Sequence, residues 1–236
     1  MTGTSAATAE LYDRIKFMKL DDMSRDRLSR LKPIIERALP DALDAFYAQA
    51  RVTPAAARFF SNEAHMAKAK SAQISHWNSI SSGTFDEAYL AKARTIGFTH
   101  ARIGLQPRWY IGGYAIILEH LIKQVVVELL PKSMMSRRSQ DGEKIGDAVA
   151  ALVKGVMLDM DIALSVYMEA AEEARVKGEQ EALASERALV ANSIGAGLAK
   201  LASMDLTVRL TEELPEAYRK LQDDFNSAME QIESSI

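Results

Sequence analysis

The sequence predicts an all-α protein, and three observations carry that prediction. Only 12 of its 236 residues are Gly and 6 are Pro, while Ala, Leu, Met, Glu, Lys and Arg abound, and these are the residues that favour helix most. Apolar residues recur at intervals of three and four over long stretches, the period of an amphipathic helix. The prolines serve as punctuation for those stretches, as expected of a residue that opens a helix more readily than it continues one.

The apolar pattern gives the elements in order. A short helix holds Leu11, Ile15 and Met18; a second lies near Ser24–Leu31; a third runs from about Pro33 to Arg51 with Ile34, Ile35, Leu39, Leu43, Phe46 and Tyr47 at helical spacing. Another covers about Asn62–Ser81, and the Ser-Ser-Gly-Thr run at 81–84 stops it. Thr84 followed by Glu87 fits a capping box and is read as the next helix start. That helix ends near Ile103–Gly104, where glycine suits the left-handed position past a helix end. Pro107 opens a long helix to about Leu130, and Asp141 a longer one.

From there the pattern changes in kind. Val149, Val153, Val156, Met160, Ala163, Tyr167, Ala170 and Ala174 recur at 4-3 spacing, the heptad signature of a helix packed lengthwise on partner helices. Residues 171–188, rich in Glu, Ala, Lys and Arg, read as a solvated helical connector. Val190, Ile194, Gly197, Leu201 and Met204 restart the 4-3 pattern, and Leu214, Tyr218, Leu221, Phe225, Ala228 and Ile232 give another beyond an extended-looking connector, Asp205–Leu210. Two such seams cannot bury themselves alone, so a homodimer with a parallel four-helix bundle is expected. Ile236 stands mid-seam, which reads as a chain whose output module lies further on.

Length suggests one domain with a large appendage, or two small ones. With 48% apolar and 26% charged residues the composition is that of a globular protein. The absence of cysteine excludes disulfides, thiolate catalysis, zinc fingers and iron–sulfur clusters, and fits a reducing cytoplasm. Net charge is −3 and no basic stripe carries interleaved aromatics, so nucleic acid is not an expected partner; the Lys132–Lys144 patch reads as a solvated loop. Tyr114–Leu130 is interrupted by Glu119, His120, Lys123 and Gln124 and reads as too polar and too short for a span of about 20 residues. The opening residues MTGTSAATAE lack a signal-peptide pattern.

No phosphate loop, nucleophile elbow or HExxH is present, which leaves the histidines. His65 and His120 have charged neighbours and read as surface residues; His76, beside Trp77, reads as a boundary residue. His100 lies near a helix end in IGFTHARIGL, with Ile96 and Ile103 on its own face. Spacing alone leaves two readings for it, a satisfied core histidine or a metal ligand.

The run Ile96–Tyr114, IGFTHARIGLQPRWYIGGY, resembles the proximal-histidine signature of globin-coupled sensors, the bacterial aerotaxis-transducer and protoglobin-like family. Asp44-Ala-Phe-Tyr47 resembles that family's helix bearing a ligand-stabilising tyrosine, and Ala69–Trp77 its distal helix, so the likeness covers roughly residues 10–170. The resemblance implies a globin fold with a long C-terminal helical extension, haem b (iron protoporphyrin IX) as cofactor, and His100 as proximal iron ligand. It implies Tyr47 as distal hydrogen-bond donor to a bound gas, with an ordinary core tyrosine as the other reading. Phe46, Ala69, Ala72, Gln73, Ile96, Ile103, Tyr110 and Tyr114 follow as haem-pocket residues. Tyr110 is expected to hydrogen-bond to backbone near His100, while Trp109 passes as simple core. Ala72 stands where better-known members have threonine, leaving Gln73, Ser71 or Ser75 to compensate.

Residues from about Leu189 to Ile232, with LTVRL as connector and Phe225-Asn226 ahead of Met229, resemble a HAMP signal-relay helix pair of chemotaxis receptors. Met204 stands where such connectors often have glycine, and Pro215-Glu216-Ala217 replaces the usual Glu-x-Gly. The organisation expected is a sensor globin over 1–170, a linker over 171–188 and a HAMP-like module over 189–236. The implied function is a cytoplasmic, non-enzymatic sensor of dioxygen or another diatomic gas feeding a chemotaxis-type output. A haem-free globin-fold interaction module and a haem enzyme, a peroxidase or nitric-oxide dioxygenase, are the alternatives.

Overall fold

The computed structural model describes residues 6–130 and 139–235. Its helices are α1 (Ala6–Phe17), α2 (Asp22–Val52), α3 (Pro54–Ala57), α4 (Glu63–Ser81), α5 (Glu87–Arg102), α6 (Pro107–Leu129), α7 (Ser139–Ala202) and α8 (Glu216–Glu233). Strands are absent among the described residues. The chain divides into two compact units, Met1–Ala171 and Glu172–Ile236.

In the first unit α2 packs on α6, α4 and α3. Leu28, Ile35, Leu39 and Leu43 of α2, Trp77 and Ile80 of α4, Ile117 and Leu121 of α6, and Leu152 and Leu158 of α7 form the centre of its core. Glycines permit two close approaches that bear on the cavity. A Cβ on Gly97 would stand 3.1 Å from the backbone of Ala163, so α5 lies directly against α7. One on Gly113 would stand 2.7 Å from the Phe46 ring, which rests on α6.

The structure corrects several element boundaries. The two helices expected over 24–51 are one, α2, with Pro33 and Pro40 inside it. An interior proline removes a hydrogen bond and costs about 3 kcal/mol, but both prolines lie on the exposed face, where water can satisfy the freed carbonyls while the opposite face is buried. Thr84 does not cap α5. Asp86 does, its side chain accepting from Tyr89 N at 2.8 Å, because Phe85 is drawn into the core and delays the helix start. Gly83, at φ +69°, makes the preceding turn. The expected left-handed Gly104 is found at φ +71°.

The 4-3 seam of Val149–Ala174 is only partly free. Val156 and Ala163 are buried in the core of the unit, with Ala148, Leu152, Ile162 and Val166. Exposed apolar residues follow a neighbouring stripe through Met157, Leu164 and Met168. Helix α6 has 23 residues and an 18-residue window of mean hydropathy 1.2, long and apolar enough to cross a membrane, contrary to the sequence reading of Tyr114–Leu130. Its Gly113, Tyr114, Ile117, Leu121 and Val125 are buried in the helical core. Of the Lys132–Lys144 patch, residues 132–138 lie outside the described residues, as do the opening residues 1–5 and Ile236; from Ser139 the chain is helical.

In the second unit residues 172–185 are exposed helix. Val190 and Ser193 of α7 are buried, as are Val208, Leu210 and Leu214 of the connector and Met229 of α8. Asn226 holds the connector twice: its Oδ1 accepts from Leu210 N at 2.8 Å and its Nδ2 donates to Leu210 O at 3.1 Å. Gln222 adds a bond to Leu210 O at 2.8 Å. Met204 takes φ 65°, the left-handed conformation that glycine adopts without strain.

Candidate functional site

A cavity of about 700 Å³ opens in the first unit between α2, α4, α5 and α6, within the size range of cofactor sites. Phe46 and Tyr47 of α2, Ala69, Ala72 and Gln73 of α4, Ile96 and His100 of α5, Ile103 just beyond it, and Tyr110 and Tyr114 of α6 all line it. The sequence-predicted site residues therefore share one space. Trp109 lines it too and is half-buried rather than core. Ile103, 46% exposed, lies at its edge.

His100 sits in the last turn of α5. Burial drives its imidazole pKa down to about 4, with His76 adding repulsion and Asp159 opposing the shift. The ring is therefore neutral at neutral pH, the form that binds a metal. Its Nδ1 is buried without a hydrogen-bond partner, a state that costs about 1–3 kcal/mol unless something else satisfies it. The Gln73 Oε1 in the same cavity is likewise buried and unpaired.

Tyr47 is buried, its ring edge-on to Phe46 and Phe60 at 4.9 and 5.6 Å. Desolvation raises its phenol pKa, so the group is a neutral donor. The rim holds the cations Lys68 and Arg102, with His65. His65 is exposed, as read from sequence, whereas His120 is half-buried.

Sequence reasoning missed Asp159. This carboxylate is 1% exposed and accepts from His76 Nε2 at 2.9 Å, Tyr89 OH at 2.6 Å and Tyr114 OH at 2.5 Å. Burial works against its charge, but the bonds from His76, Tyr114 and Tyr89 hold its pKa below the usual carboxylate value. His76 is thus a buried, paired residue rather than a boundary one. Tyr110 also departs from expectation: its hydroxyl reaches Tyr114 OH at 3.0 Å and Asp159 Oδ2 at 3.4 Å, not backbone beside His100. The available signal was the face Leu152, Val156, Asp159, Ala163 and Val166, buried throughout, on which Asp159 is the one charged residue.

Among the described residues no group of three His, Asp or Glu side chains could hold a metal ion. An ion at His100 would need its remaining ligands from a prosthetic group, and a porphyrin supplies four in one plane. An apolar cavity with a neutral imidazole, an unpaired nitrogen and cations at the rim fits haem and its carboxylates.

The comparisons agree with that architecture. The globin domain of a Geobacter sulfurreducens globin-coupled sensor superposes with a TM-score of 0.58 at 19% identity, covering 66% of this chain and 96% of that one; this establishes the fold. The heme-based aerotactic transducer HemAT of Halobacterium salinarum is 23% identical over 234 residues, 97% of this chain and 46% of the relative. The chemoreceptor McpA of Caulobacter vibrioides is 49% identical over 51 residues, 22% of this chain and 8% of the relative. The chain thus spans less than half the length of either curated relative. Residues 7–173 match the Protoglobin family, and with the fold and cavity above, the chain belongs to that family.

Proposed function

We propose that the first unit is a haem-based sensor of dioxygen or another diatomic gas, with haem b in the cavity and His100 as iron ligand. The observation that carries this reading is the half-buried, neutral His100 with its buried, unpaired Nδ1 in an apolar cavity of a Protoglobin-family chain. Bound haem would supply an open coordination position for the gas. Tyr47 would donate a hydrogen bond to the ligand, Gln73 stand by in place of the hydroxyl missing at Ala72, and Lys68 and Arg102 meet the haem carboxylates.

The second unit is read as a HAMP-like relay over about 189–236, joined by the 171–188 linker. The whole protein is read as a cytoplasmic, homodimeric chemotaxis-type transducer without enzymatic activity. The apolar side chains exposed on α6 and α7, Ile111, Val127, Met157, Leu164 and Met168, favour pairing with a second copy. A coupling of about 1–3 kcal/mol is typical of such ligand-driven relays.

The decisive experiment replaces His100 by Ala. Haem uptake, read from the Soret band, should be lost or strongly weakened, whereas His65→Ala and His120→Ala should retain it. Full haem content and an unchanged ferrous spectrum in the His100→Ala protein would overturn the assignment.

A further inference from the structure

Removing a carboxylate from water is costly, and such a charge is retained at low cost only where donors surround it. Asp159 of α7 has donors from three helices: His76 of α4, Tyr89 of α5 and Tyr114 of α6. His76 and Tyr114 also line the cavity. The relation continues one step further. The Tyr110 hydroxyl lies 3.0 Å from the Tyr114 oxygen and 3.4 Å from Asp159 Oδ2, so its one proton is shared between the two acceptors while Tyr114 donates to the carboxylate. The Tyr110 ring lies against the His100 imidazole, centroids 5.0 Å apart. An unbroken path therefore runs from Asp159 to the Tyr110 ring, both directly and by way of Tyr114, and from that ring to the imidazole face.

A structural role alone does not call for a charge here, because well-packed apolar residues commonly replace buried ions without loss of stability. What the carboxylate adds is a single acceptor point on α7 shared by α4, α5 and α6, and a negative field that reaches His100. We propose that Asp159 is a positioning residue for His100: directly and through Tyr114 it holds the Tyr110 ring against the imidazole, so that a movement of the imidazole is passed to α7 as a pull on the carboxylate. The inference rests on the haem reading of the cavity.

The test uses the full chain loaded with haem and two readouts that packing alone would not move. These are the iron–imidazole stretching band of the ferrous protein and the midpoint potential of the haem. Asp159→Asn keeps the shape, removes the charge and gives one former acceptor a donor's character. It should shift the stretching band and raise the potential, because a nearby negative charge favours the ferric state. Tyr114→Phe leaves the charge in place and removes one of the two links to Tyr110, keeping the direct 3.4 Å bond from Tyr110 to Asp159. It should shift the band in the same direction with a smaller change in potential. Tyr110→Phe, which retains the ring and is the mildest change, should also shift the band, and it carries the test if Asp159→Asn fails to fold.

Haem-loaded variants whose band and potential both equal those of the wild type, whatever their melting temperatures, would overturn the inference and leave the haem reading intact. A wild-type chain that takes up no haem would overturn both.

Discussion

The Tyr110 ring packs against the His100 imidazole at 5.0 Å between centroids and 58° between planes, while its hydroxyl points away to Tyr114. The residue that touches the candidate ligand is thus anchored by Tyr114 of its own helix and by Asp159 of α7, at 3.4 Å, rather than by the helix carrying the ligand. In the proposed relay a displacement of the imidazole is felt on α6 and, through Tyr114 and Asp159, on α7.

Replacing Tyr47 by Phe removes one hydroxyl and keeps the ring, so packing should survive. A hydrogen bond of this kind contributes on the order of 1–1.5 kcal/mol, and 1.4 corresponds to tenfold. Oxygen release should therefore accelerate by about tenfold, and carbon monoxide, a poorer acceptor on haem, should respond much less. Stopped-flow release of both gases checks this; equal changes would mean a damaged pocket rather than a lost donor.

Gly97→Ala tests the crossing that sets the position of His100. The added methyl would stand 3.0 Å from Val166 Cβ and 3.1 Å from Ala163 Cα, and overpacking of this sort costs about 1–3 kcal/mol. Chemical denaturation should show that loss. The haem spectrum should shift as well, since His100 lies one turn further along α5.

In the haem-free protein stability should fall as pH drops from 6.5 to about 4. The unfolded imidazole takes up a proton near its ordinary value of 6.5, but folded His100 does so only near 4. Within that window the unfolded chain binds more protons, so stability rises with pH. The total is at most about 3 kcal/mol by the value of one pKa unit, reduced by partial exposure to the cavity. Below it His100 contributes no further slope, and protonation of Asp159, held below 3.8, begins to destabilise the fold. Denaturation across pH should give this slope in the wild type and lose it in His100→Leu; an equal slope in both would show that another group is responsible.

Met204→Gly should stabilise the second unit. Met204 is 78% exposed and has φ 65°, so its side chain gains little burial to offset a left-handed backbone costing about 1–2 kcal/mol. Glycine removes that strain but loses about 0.5–1 kcal/mol in backbone entropy. The net gain should be under about 1.5 kcal/mol, visible as a small rise in melting temperature; a fall would mean that the methionine side chain has a packing role.

The amino-acid sequence by itself determined what depends on near neighbours. The helix period, the left-handed Gly104, the proline that opens α6 and the family resemblance of the motif around His100 are all set within a few residues, and they read correctly. Where burial outweighs local preference the reading failed: α2 runs through Pro33 and Pro40 because one face of it is core, and Phe85 moves the cap from Thr84 to Asp86. Only the tertiary structure decided the partners of Asp159. His76 and Tyr114 lie 83 and 45 residues away in sequence, and an aspartate on a helix reads as solvated until the packing of α4, α5 and α6 shows that water is excluded and side-chain donors from all three helices have taken its place.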